Sequence, residues 1–215
     1  MSATGLIFAI AFLAGCALAM SRHPVYGAMT YIATLFLSPP LRWWGQGLLL
    51  PVRWSLIAAG VTFVAILVHA RRDVGAPTSR LRHPIIPLFV VLIARLYVES
   101  LWSLDQPSQS EFISYYVKFL LAIWLVYRSA DSADSVRLIM WTYALGCFYF
   151  GWIAYTSYEG GRFEDFGGSG IDEANAGALT LVIGTFMIAS LFLASDNARK
   201  GVLIVVAAFV LNGMV

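Results

Sequence analysis

A chain of 215 residues that is 60% hydrophobic and only 12% charged, with mean hydropathy +0.77, is not an ordinary soluble domain, which carries about a quarter charged residues. The composition requires a polytopic integral membrane protein. The net charge of +2 is too small to mark a nucleic-acid partner. Cys16 and Cys147 both fall in apolar runs, so they read as buried thiols and not as a disulfide or metal site. Neither a metal nor a cofactor is expected.

A hydrocarbon core of about 30 Å takes about 20 helical residues. The apolar runs predict spans over residues 4–20, 25–38, 48–70, 84–102, 112–127, 138–155 and 175–194, with an eighth from 201. The first run could pass for a signal peptide, but it lacks a basic flank on its N-terminal side, and Arg22 follows it. The second is short and ends at Pro39-Pro40, with Trp43 and Trp44 placed as an interfacial anchor. Pro51 is tolerable in the first turn of the third. The predicted fold is an all-α bundle of about seven complete spans plus a truncated eighth. Residues 1–215 then form the N-terminal part of a single transmembrane domain, cut before a further outer loop.

Basic residues orient this ladder. Arg22, Arg71, Arg72, Arg80, Arg82, Arg128, Arg137, Arg199 and Lys200 lie on one side, and only Arg42, Arg53 and Arg162 on the other. The positive-inside rule makes the first set cytoplasmic. Most carboxylates then fall on the outer side. His23, His69 and His83 all map to cytoplasmic ends and read as flanking polar residues, which leaves the outer face without a histidine.

The stretch 160–178 is the longest polar segment between apolar runs. It holds Arg162, four carboxylates and five glycines among its first fourteen residues. The glycines allow tight bends. Asp172 stands where an N-cap belongs, just ahead of Asn175 and a new apolar run. Residues 158–174 are therefore expected to form an outer glycine-rich loop that ends by starting a helix. Its spacing matches neither a phosphate-binding fingerprint nor a calcium loop.

Two cations lie inside apolar helices. Arg95 is seven residues before Trp102, about 10 Å below the outer helix end, and Lys118, six residues after Phe112, is expected at a similar depth. Intramembrane charges are costly and read as functional. Two bland readings stand beside this one: Glu99 can neutralise Arg95 at i+4, and Lys118 can snorkel outward. The functional expectation is that Arg95, Lys118 and Arg162 line one outward cavity for an anion; Asn175, at the head of the next helix, is a further candidate for substrate binding.

Three features carry a family resemblance. One is the turn Ser100-Leu101-Trp102-Ser103-Leu104-Asp105 leading to a span with a mid-helix lysine, Tyr116-Val117-Lys118-Phe119-Leu120. The second is an outer loop with Arg162 and Gly167, followed by Asn175-Ala176 at a helix head. The third is the apolar run into Leu211-Asn212-Gly213. In these the chain resembles the bacterial O-antigen ligases and the related polysaccharide polymerases and protein O-glycosylation ligases. The resemblance implies a multi-pass protein of the bacterial inner membrane. It implies transfer of a glycan from an undecaprenyl diphosphate carrier to a lipid or protein acceptor at the periplasmic face. Family members set outer-face arginines against the diphosphate, which Arg162 matches, and use a histidine in a large later periplasmic loop. That histidine has no counterpart here. No catalytic residue is expected within the chain, and the chain alone is expected to be inactive. The alternatives are a secondary transporter or flippase-like protein, and a non-catalytic membrane scaffold.

Overall fold

The computed structural model describes residues 2–45, 52–72, 85–157 and 174–214. These form eight α-helices and, among the described residues, no strand: α1 Ala3–Ser21, α2 Val25–Leu37, α3 Trp54–Arg72, α4 Ile85–Glu99, α5 Gln106–Ser129, α6 Ala133–Ser157, α7 Ala174–Leu193 and α8 Asn197–Asn212. Helices are what an apolar chain must form in lipid, because each satisfies its own backbone polar groups. Five stretches are long and apolar enough to cross a membrane: Ala3–Ser21, Ile85–Trp102, Gln106–Ser129, Ala133–Ser157 and Asn175–Leu193. The chain is an all-helical membrane bundle, as its composition requires. The other three expected spans are shorter, with α2 at 13 residues, the apolar part of α3 limited to Trp54–Ala70, and α8 at 16.

Capping explains where several helices begin. The Ser2 hydroxyl accepts the Gly5 N–H, Asp105 accepts the Ser108 N–H, and Asp196 accepts the Arg199 N–H. Each satisfies an orphan donor of a first turn. Helix α5 therefore starts at Gln106, six residues before the apolar run at 112. Likewise α8 starts at Asn197, ahead of Gly201. Polar residues between a cap and an apolar run extend a helix that hydropathy alone cuts short. The expected cap at Asp172, the placement of Pro51 and the glycine-rich loop up to residue 173 lie outside the described residues.

The shortest helix is the most central. Helix α2 buries Val25, Ala28, Ile32 and Phe36 and packs against α1, α3, α5 and α6. The main core joins Phe36 to Cys147 and Phe150 of α6, Leu181 of α7, and Leu203 and Val210 of α8. A second cluster joins Phe8 and Phe12 of α1 to Trp44 and Ala58, with Trp54 packed edge-on against both phenylalanines. Membrane helices associate through small residues that let backbones approach. At Gly151 a Cβ would lie 2.1 Å from the Phe209 carbonyl oxygen of α8, and at Gly184 2.4 Å from Cys147 Sγ. Several threonine hydroxyls in this medium turn back on their own helix. Thr62 donates to the Ala58 carbonyl, Thr142 to Leu138 and Thr185 to Leu181, so none leaves an orphan donor in lipid.

Polar contacts define the two ends of the bundle. At one, His23 Nδ1 accepts the Val25 N–H at 3.2 Å, so Nε2 carries the proton and donates to Asp131 Oδ2 at 2.8 Å. Ser135 donates to the other Asp131 oxygen, and His69 lies 3.2 Å from the Arg22 carbonyl oxygen. This His23 end ties the α1–α2 turn to α3 and to the α5–α6 turn. At the opposite end the Ser2 hydroxyl donates to the Trp44 carbonyl at 3.0 Å. His23 and His69 thus share one end of the bundle, while His83 lies outside the described residues.

Candidate functional site: a two-cation recess at the end of α2

Thirteen helical residues rise about 20 Å, short of the about 30 Å of a hydrocarbon core. The stop is written in the sequence. Pro39 disfavours a helical conformation at the residue before it, and Ser38 adopts a left-handed one with φ 36°. The chain then folds back through two 3₁₀ turns, Pro39–Leu41 and Trp43–Gly45. They pack so closely that a Cβ on Gly45 would sit 1.8 Å from the Pro39 carbonyl oxygen. Only glycine fits there.

Neighbouring helices run on past the point where α2 stops, and the difference leaves a recess of about 600 Å³. Its floor is the last turns of α2, with Tyr31, Thr34 and Ser38. Its walls are Arg53, Trp54 and Ser55 at the start of α3, and Lys118, Leu121 and Leu125 of α5. Lys118 lies twelve residues into α5, about 18 Å along its axis. The stretch from Gln106 to Glu111 is polar, so measured from the apolar boundary at Phe112 Lys118 lies about 9 Å along the axis. Its Nζ stands 5.2 Å from the Tyr115 ring centroid, within cation–π range.

The electrostatics of this recess are one-sided. No acidic residue lines it among the described residues. Neither Arg53 nor Lys118 has a carboxylate within ion-pair distance among them. The head of α3 adds the positive end of a helix dipole, although the Trp54 N–H is already given to the Val52 carbonyl at 3.0 Å. Such a site holds an anion: arginine offers a planar fork to phosphate oxygens, and lysine a point charge. Leu35, Leu121, Ala122 and Leu125 add apolar wall, which suits a ligand with a lipid part.

The residues expected from sequence fall in different places. Lys118 lines the recess. Arg95 does not: its Nε donates to Glu99 Oε1 at 2.8 Å, and the pair faces outward near the end of α4 with the guanidinium 73% exposed. Asn175 is exposed in the first turn of α7. Arg162 lies outside the described residues. Arg53 is the lining cation that sequence reasoning passed over, treating it only as a marker of the outer side. The signal for it was there: an arginine opening a helix directly after a span too short to cross.

The α4–α5 hairpin holds a second cavity, of about 450 Å³, that also reaches Lys118. The hairpin is tied by the Gln109 side-chain amide, which donates to the Leu96 carbonyl at 3.2 Å. Among the described residues no group of three or more metal-ligating side chains forms. Comparison of the chain with protein-family models, with curated proteins and with solved structures found no match.

Proposed function

We propose that this chain is the membrane part of a glycosyltransferase that moves a glycan from an undecaprenyl diphosphate carrier to an acceptor at the periplasmic face of the bacterial inner membrane. The observation that carries the reading is the recess at the end of α2, where Arg53 and Lys118 have no carboxylate partner among the described residues and Leu35, Leu121 and Leu125 give an apolar wall. In glycan transfer the acceptor hydroxyl oxygen bonds to the anomeric carbon, the bond from that carbon to the diphosphate oxygen breaks, and the hydroxyl proton leaves to a base. Negative charge builds on the departing diphosphate. Preorganised cations in a water-poor site stabilise such charge without reorganisation. The recess supplies those cations and an apolar wall for the first isoprene units. Among the described residues its lining holds no carboxylate, histidine or thiol to take the proton, so its role here is leaving-group binding.

Lys118, Arg162 and Asn175 keep the substrate-binding roles expected from sequence, and Arg53 joins them. Arg95 acts at most as a rim charge, since Glu99 already neutralises it. The test is binding of undecaprenyl diphosphate to the purified chain in lipid nanodiscs, with undecaprenol as the uncharged control. Hydrogen bonds to charged groups contribute about 1.5–3 kcal/mol, so Lys118→Ala and Arg53→Ala should each weaken diphosphate binding about tenfold to a hundredfold. Undecaprenol binding should not change. Equal affinity for both lipids, or parental diphosphate affinity in both variants, refutes the reading.

A second reading is a transporter, supported by the mid-helix position of Lys118, where intramembrane cations commonly serve ion pathways. It predicts uptake into sealed vesicles that Lys118→Ala abolishes. The absence of uptake across a panel of anionic substrates, together with retained diphosphate binding, removes it.

A further inference from the structure

The second cavity lies between α4 and α5 and differs in chemistry from the recess. Four polar side chains line it along α5 at i+4 spacing: Gln106, Ser110, Ser114 and Lys118. On a helix of 3.6 residues per turn, steps of four drift by about 40° each. The stripe therefore winds from the side facing α4 at the bundle end to the side facing α2 and α3 at Lys118. Lys118 is the residue the two cavities share.

Hydrogen bonds already made fix what the cavity can offer. The Ser100 hydroxyl donates to the Tyr97 carbonyl at 2.7 Å and the Ser110 hydroxyl to the Pro107 carbonyl at 2.8 Å. Both oxygens are left as acceptors. The Gln106 side-chain nitrogen donates to the Ser100 carbonyl, and also toward Ser103 at 3.5 Å, which leaves its amide oxygen as a third acceptor. The Ser114 hydroxyl makes no hydrogen bond among the described residues. Tyr97 adds an exposed aromatic face. Acceptors dominate this wall, and an anion, which cannot donate to acceptors, gains nothing from them. A polyhydroxy group can donate to three and accept from Lys118 and Ser114.

We infer that the α4–α5 cavity seats the carrier-proximal sugar of the substrate, with Lys118 at the junction between sugar and diphosphate. This rests on the proposed transferase reading. The volume of about 450 Å³ falls in the range of small-molecule sites, about 300–1,000 Å³. The winding stripe leads from the bundle end, where a glycan extends into water, to the cation where the diphosphate binds.

The experiment compares nanodisc binding of bare undecaprenyl diphosphate with the same lipid bearing one glucose, galactose, N-acetylglucosamine or N-acetylgalactosamine. At least one glycosylated lipid should bind about tenfold tighter than the bare one, the effect of one or two neutral hydrogen bonds. Ser114→Leu, which fills the cavity, and the milder Ser110→Ala should each reduce that preference, the first abolishing it. Bare-lipid affinity should stay unchanged in both, which shows that the variants fold. Bare-lipid binding with no preference for any of the four sugars overturns the sugar site and leaves the diphosphate site standing. A sugar preference lost in Ser114→Leu while bare lipid fails to bind supports the sugar site and overturns the diphosphate recess. No binding of any of the lipids overturns both.

Discussion

Alanine at Gly151 tests the packing of the bundle most directly, because the obstacle it meets is backbone. Its Cβ would lie 2.1 Å from the Phe209 carbonyl oxygen and 2.5 Å from the carbonyl carbon, where ordinary contact begins at 3.4 Å. The same oxygen accepts the Gly213 N–H that closes the last turn of α8 at 3.0 Å. No rotamer change relieves this overlap, so α8 must retreat from α6 by about 1 Å, and a gap of that size forfeits up to about half of each dispersion contact along the seam. Overpacking of this kind costs about 1–3 kcal/mol. Against it stands the intrinsic gain of alanine over glycine in a helix, about 1 kcal/mol. Gly60→Ala in α3 isolates that gain, since nothing lies within 4 Å of a Cβ there. Unfolding of both variants by sodium dodecyl sulfate in dodecylmaltoside micelles, followed by circular dichroism, should place Gly151→Ala about 1–3 kcal/mol below Gly60→Ala. Equal stability of the two would show that α6 and α8 do not meet at this glycine.

Two further outcomes are expected. Burial pushes the Asp131 carboxyl up, but hydrogen bonds from His23 and Ser135 outweigh it and hold the group below the usual carboxylate range. A depressed pKa gives stability that is present above the unfolded value of about 3.9 and is lost as pH falls through the lower folded value. Asp131→Asn should therefore flatten the acid limb of a stability-against-pH curve, by less than about 1 kcal/mol for so exposed a pair, and an unchanged acid limb would count against the contact. For orientation, Ser108→Cys and Asn197→Cys in a background lacking Cys16 and Cys147 should respond differently to an impermeant maleimide in cells with a permeabilised outer membrane. Ser108→Cys should label at once and Asn197→Cys only after the inner membrane is broken; the reverse pattern inverts the topology.

Much of the architecture was legible because hydropathy and helix formation are local. Runs of apolar residues marked every helix, and Pro39-Pro40 marked the end of α2. What local reading mistook was extent. Asp105 caps a first turn of Gln, Pro, Ser and Gln that hydropathy does not assign to a membrane helix, so α5 begins six residues before its apolar run. Centrality was also hidden. Span 2 looked like the weakest membrane segment by length, yet it is the helix that others surround, because glycine and alanine on its faces admit close neighbours. Gly27 abuts Thr62 of α3 and Ala19 of α1, and Ala28 is 1% exposed. The partner of Arg95 was readable from i+4 spacing. The grouping of Arg53 with Lys118 was not, because it depends on how α3 and α5 flank the end of α2 across 65 residues of sequence.

The recess follows from a mismatch of lengths and needs no dedicated loop to shape it. A helix that stops after about 20 Å among neighbours of about 28–38 Å leaves a space open toward one end and closed below. In a soluble protein water would fill it at little cost. In a membrane the space is flanked by hydrocarbon, and an unpaired ammonium at mid-helix is destabilising unless something anionic or aqueous meets it. Lys118 lies six residues inside the apolar run that begins at Phe112, about 9 Å along the axis, with its Nζ turned back over the Tyr115 ring, and the recess opens beside it. The same geometry that tolerates the charge makes it available to a ligand entering from the Trp44 end. Arg53, at the head of α3, stands where such a ligand would pass. A neutral residue at 118 would suit a bundle selected only for stability; a lysine there, without a carboxylate partner among the described residues, fits the proposed binding of an anionic lipid head.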